Sequence, residues 1–200
     1  MTRQETATPS GQIRWTAWPL GMRWTSATGF TATVRASVVA YLGMLALAGT
    51  TLQCAARFIQ NGTLPASNEW PAILVFVALT MLGGGVHEAG HVAGYRITGL
   101  RWAGATVKFG ASVQSKGQVT NSQQILVSAL GPVCEALAGL SLLAIADIGS
   151  IVWLSGLYLG ANGAMGMVFP WPSNSDAAKM YRHTWRIATQ RLIPQRNTVR

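Results

Sequence analysis

Two of the three histidines in this chain stand four residues apart with a carboxylate between them, in His87-Glu88-Ala89-Gly90-His91. On a helix, positions i and i+4 share a face, so the two imidazoles can bind one metal ion, and zinc is the ion this pattern suits. Glu88 then lies beside the ion, placed to take a proton from a water held there. The chemistry this predicts is zinc-assisted hydrolysis. The competing reading is a polar helix-packing cluster that binds nothing. The surroundings of the motif decide between the two.

Those surroundings are apolar. Half of the 200 residues are hydrophobic and only 10% are charged, against about 25% in soluble proteins. Such a composition excludes disorder, which needs low hydrophobicity with high charge. Two cysteines, Cys54 and Cys134, both inside apolar runs, exclude a disulfide scaffold. Four stretches predict membrane-spanning helices. Residues 36–56 and 148–175 carry no charge, 70–95 carries only Glu88, and 123–146 only Glu135. Each is long enough to cross a hydrocarbon core of about 30 Å, and their frequent Gly and Ala suit close helix packing in lipid. The first run begins too deep in the chain for a cleavable signal peptide, so it reads as a retained span.

Two histidines and a glutamate inside such a span are costly to bury, which marks them as functional. At about 1.5 Å rise per residue, His87 falls roughly 24 Å below Pro71 at the start of the second span. The motif therefore belongs to the inner third of the bilayer.

Basic residues set the orientation. The leader holds Arg3, Arg14, Arg23 and Arg35, the link after the second span holds Arg96, Arg101, Lys108 and Lys116, and the tail holds six more, from Lys179 to Arg200. Only Arg57 falls on the other side, so both termini are predicted to be cytoplasmic. The net charge of +9 then reports topology and attraction to anionic headgroups, not a nucleic-acid partner. Trp70, Trp153 and Trp171 fall near span ends, as interfacial aromatics do.

The fold expected is thus an all-α integral membrane protein of about four transmembrane helices, multi-pass, in a bacterial plasma membrane. Residues 1–35 form a cytoplasmic basic leader, 36–176 the membrane-embedded core and 177–200 a basic cytoplasmic tail with an interfacial amphipathic helix. Residues 105–119, ATVKFGASVQSKGQV, alternate and carry glycines, so a small β-hairpin is expected between the second and third helices.

Zinc hydrolases use three protein ligands and keep one position open. His183, in the basic tail, reads as a solvated surface residue. Two acids are better placed. Asp176 follows the fourth span at the same end as His91, behind Pro170-Trp171-Pro172-Ser173-Asn174-Ser175, and competes with a role as N-cap of the tail helix. Glu135 sits within the third span after Gly131-Pro132-Val133-Cys134, where proline frees a backbone carbonyl. It reads as an outer-shell group, a substrate contact or the third ligand.

His-Glu-Ala-Gly-His in a membrane helix, Gly131-Pro132 in the third span and an aspartate behind a Pro-rich span end resemble the site-2 protease family of intramembrane zinc metalloproteases. The resemblance covers roughly residues 36–180. It implies one Zn2+ per chain held by His87, His91 and Asp176, with Glu88 as the catalytic base. It also implies a membrane-spanning or membrane-anchored protein as substrate, cut within the bilayer. The hairpin would correspond to the family's membrane-associated sheet, whose free edge could hold an unwound substrate as an added strand. There are departures. The family's usual Gly-Pro-x-x-Asn ends here in Glu135, its Asp-Gly is Asp176-Ala177, and the asparagine expected just before the prolines lies further upstream, at Asn162. Pro132, Glu135 and Asn162 are therefore candidates for supporting or substrate-contacting roles. The alternative function is a catalytically degenerate relative that binds membrane helices as a regulatory partner.

Overall fold

The computed structural model describes residues 13–16, 21–64, 69–108 and 110–192. Four helices among them are long and apolar enough to cross a membrane: α1 Ser37–Asn61, α2 Trp70–Ile97, α3 Asn121–Ile145 and α4 Ile151–Val168. A fifth, α5 (Asp176–Leu192), is amphipathic. The architecture is that expected, four apolar helices with a small sheet and a basic C-terminal helix.

Local chemistry sets the helix boundaries. α1 ends at Gly62, whose φ of 66° is the left-handed conformation glycine adopts freely. α3 opens with a capping box: Thr120 Oγ1 accepts from the Gln123 N–H, and the Gln123 side chain accepts from the Thr120 N–H. Ser150 caps α4 by accepting from the Trp153 N–H.

α3 is the central element, packing along α2, α4 and the start of α5. Its contact with α4 depends on small residues. A Cβ on Gly139 would lie 2.3 Å from the backbone nitrogen of Gly160, so here the two backbones touch directly, which is how helices associate in lipid. Large side chains such as Val39, Leu47, Leu74, Leu82 and Leu140 point outward. In water that surface would be a liability; in a bilayer it is the solvated face.

The sheet is larger than the sequence suggests. The expected hairpin is present as β4 (Arg101–Lys108) and β5 (Gly110–Lys116). The basic leader adds three strands, β1 (Ile13–Thr16), β2 (Gly21–Thr25) and β3 (Thr31–Arg35), in the order β1-β2-β3-β4-β5. All neighbours are antiparallel except β3 and β4, which run parallel. Phe30 stands edge-on between Trp24 and Trp102 and joins the leader to the hairpin. The sheet thus lies at the end of the bundle where α1 begins and α2 ends. β1 and β5 are its edge strands, and β5 faces α2.

Candidate metal centre

α2 carries the motif near its C-terminal end. His91 is six residues before Ile97, about 9 Å along the helix axis. His87 and His91 lie on one face, their rings 4.8 Å apart and nearly perpendicular. Their Nε2 atoms are 3.1 Å apart. Asp176 Oδ2 lies 3.2 Å from the Nε2 of each ring. The three atoms form a nearly equilateral triangle. Tetrahedral zinc, with ligands at about 2.0–2.1 Å, sets neighbouring donors roughly 3.3 Å apart, so the triangle fits that ion.

The opposite ring nitrogens explain why these atoms are free to converge. His91 Nδ1 lies 2.7 Å from the Val127 carbonyl, which can only accept, so Nδ1 carries the proton. In the neutral ring, Nε2 is then an acceptor. His87 Nδ1 lies 2.8 Å from Glu135 Oε2, and Glu135 Oε1 in turn accepts from Asn162 Nδ2 at 2.7 Å. Carboxylates and carbonyls behind metal-binding histidines fix the tautomer and aim the ring in this way. With both rings neutral, three acceptors face one another. Such a donor set suits a cation.

This arrangement separates the two acids left open by the sequence. Asp176 stands on the Nε2 side of the rings, whereas Glu135, only 4% exposed, stands behind His87. Asp176 does not cap α5; Ser175 does, its Oγ accepting from the Ala178 N–H. As the first residue of α5, Asp176 turns its carboxylate back to α2.

The remaining candidates take distinct places. Asn162 reaches the site through Glu135. Pro132 packs against Gly166 of α4, and it cannot donate to the carbonyl of Ser128. In that same turn of α3 the Val127 carbonyl accepts from His91. Gly131 lies directly against the imidazoles: a Cβ there would fall 2.5 Å from His91 Nε2 and 2.9 Å from His87 Nε2. His183 is not in the centre, since its Nδ1 pairs with Asn121 Oδ1 at 2.7 Å. Lys179 was not anticipated. Its Nζ donates to Asp176 Oδ1 at 2.9 Å, leaving Oδ2 for the histidines. The i, i+3 spacing on a tail helix was the signal for that pair.

Glu88 lies with the histidines, its ligand atom within 4.8 Å of theirs. Its Oε2 is buried with no hydrogen-bond partner among the described residues. A cavity of about 310 Å3 joins Glu88, both histidines and Asp176 to Ala111, Ser112 and Val113 of β5. On the other side of Glu88 a second, more apolar cavity of about 520 Å3 runs between α2 and the hairpin, past Ala89, Val92, Trp102 and Val107. The two share Glu88 and the same stretch of β5.

No family model matches the chain, nor does any curated protein. Among solved structures it is similar to the "Site-2 Protease from Methanocaldococcus jannaschii", with a TM-score of 0.56 at 14% identity, over 84% of this chain and 72% of that one. The chain has a site-2-protease-like fold. With its four apolar helices, it is a multi-pass membrane protein.

Proposed function

We propose that this protein is an intramembrane zinc metalloendopeptidase that hydrolyses peptide bonds of membrane-spanning or membrane-anchored proteins. The observation that carries the reading is the triangle of His87 Nε2, His91 Nε2 and Asp176 Oδ2, with edges of 3.1 and 3.2 Å and Glu88 beside it inside an apolar span. When bound there, zinc would supply a Lewis acid that polarises the scissile carbonyl and acidifies water. Glu88 accepts a proton from the attacking water as the new C–O bond forms, and returns it to the amine nitrogen as the C–N bond breaks. Lys179 holds the far oxygen of Asp176 and so fixes which oxygen faces the imidazoles.

Substrate presentation falls to β5. Among the described residues the sheet partner of this strand is β4; its other edge faces the site, where the Val113 carbonyl accepts from the Tyr95 hydroxyl, a contact that an added strand would replace. A helical substrate has its peptide bonds shielded by its own hydrogen bonds. Laid along β5 as an added strand, it presents an unwound peptide to the site, with apolar side chains in the cavity along α2. The excess of Lys and Arg at the sheet end supports a cytoplasmic placement of that end and of both termini, in keeping with a bacterial plasma membrane.

The test is purified protein in lipid nanodiscs. Glu88→Gln is expected to keep one zinc per chain and to lose cleavage of a membrane-anchored reporter by about 10²–10⁴-fold, the usual contribution of a general base. His87→Ala is expected to lose the metal. Wild-type protein without stoichiometric zinc sinks the peptidase and leaves a degenerate relative that acts as a membrane-helix-binding regulatory partner.

A further inference from the structure

α5 does more than carry Asp176. Its Ala177 and Ala178 are buried, while Tyr181 and Trp185, one turn apart, are 52% and 72% exposed. Arg182 and Arg186, also exposed, flank them. Two contacts fix where this face lies. Tyr181 Oη donates to the carbonyl of Val168, the last residue of α4. His183 pairs with Asn121, the first residue of α3. Both partners are the ends of apolar spans, so the second and third turns of α5 stand at headgroup depth. Asp176 begins the same helix two turns away.

The chemistry of the exposed face matches that level. Tyr and Trp favour the membrane interface, where an apolar ring and a polar tip are both accommodated. Neighbouring arginines are drawn to anionic headgroups. Burial first, and then the charges of Arg186 and Arg182, hold the His183 pKa below its ordinary value. No acid offsets those charges: after Asp176, α5 holds none.

We propose that the Tyr181–Arg182–Trp185–Arg186 face of α5 docks on anionic phospholipid headgroups, and that this docking seats Asp176 against His87 and His91. α5 is one continuous helix from Asp176 to Leu192, so anchoring its middle restrains its first residue. In a neutral bilayer the arginines lose their counter-ions and α5 is held by its contacts with α3 and α4 and by Asp176 against α2. Lipid charge then controls how firmly the aspartate stays in the centre. The seating part rests on the metal reading above; the docking part does not.

Hydrogen exchange of the full chain separates the two. In nanodiscs containing phosphatidylglycerol, α5 amides are expected to exchange on the order of thirty-fold more slowly than in phosphatidylcholine alone, at about 1 kcal/mol for each of two arginines. Arg182→Glu/Arg186→Glu is expected to abolish the difference, and Trp185→Ala to reduce it; unchanged protection of α2 and α3 shows that the variants fold. Equal α5 exchange in the two lipids overturns the docking, whether or not the protein binds zinc. Zinc retained through dialysis provides the second readout. Slower loss in the anionic discs supports the seating. A lipid effect on exchange with equal zinc retention overturns the seating alone. Wild-type protein that holds no zinc in either lipid overturns the metal reading and the seating with it.

Discussion

The bundle has a polar cluster at each end, and the two are built on opposite principles. At the end where α1 stops, Glu69 accepts from Arg57 at 3.4 Å and from the amide of the buried Gln53. Donors meet acceptors there, and the cluster largely satisfies itself. At the sheet end, the donors of His87 and His91 are spent on Glu135 and Val127, so two imidazole lone pairs and a carboxylate oxygen converge. Buried acceptors facing one another are unfavourable unless a cation joins them. The first cluster pairs its donors with acceptors and leaves only the buried Gln53 Oε1 without a partner among the described residues, whereas the second has the make-up of a ligand set. That difference, rather than the mere presence of buried charge, is what supports the metal-centre reading proposed for the second.

The contrast breaks most sharply at Asp176. Asp176→Ala removes one corner of the triangle and is expected to leave purified protein with clearly substoichiometric zinc, measured by elemental analysis. Full retention would refute the ligand set. Gly131→Ala should come next. Its added methyl would stand 2.5 Å from His91 Nε2, so the rings must move. Alanine also favours the helix by about 0.5–1 kcal/mol over glycine. The expected outcome is a variant that melts near the wild-type temperature yet binds zinc weakly, a loss of function without a loss of fold.

How far the sequence alone reaches differs between these features. The spans and His87-Glu88-x-x-His91 were legible because the cost of burying polar groups in lipid leaves few explanations for them. Asp176 was legible only as one of two candidates, since its position behind the prolines does not say which way its carboxylate turns. Glu135 was legible as an outer-shell group only alongside two alternatives: it meets His87 across 48 residues of sequence, and helix packing decides which ring nitrogen it faces. The three leader strands left a readable trace in Thr31-Ala32-Thr33-Val34-Arg35 and in the turn at Gly29. The arginines interspersed there report topology so strongly that they obscured the alternation. A parallel partner, β4, lies some 70 residues on, and no local pattern announces such a pairing.

Glu135 sharpens the comparison with a smaller effect. Glu135→Ala leaves the triangle intact but frees the His87 ring, and outer-shell losses of this kind cost about 10–100-fold in metal affinity. Glu135→Gln still offers His87 an acceptor oxygen and is expected to recover most of that loss, as read by competition with a chromophoric chelator. If Ala and Gln behave alike, then charge rather than ring orientation is what Glu135 supplies.

The smallest effects belong to the self-satisfied end, where they are also the most discriminating. Arg57 and Glu69 are 47% and 21% exposed, and pairs of this kind contribute at most about 1 kcal/mol. Arg57→Ala should therefore shift thermal unfolding only slightly. Glu69→Ala strands the buried amide of Gln53 as well, and an unsatisfied buried donor costs about 1–3 kcal/mol, so it should lower the midpoint further. Both variants should keep full zinc and full cleavage. A change in zinc content from either would mean that the two ends are coupled through the spans, and that the far cluster does not stand apart from the histidines.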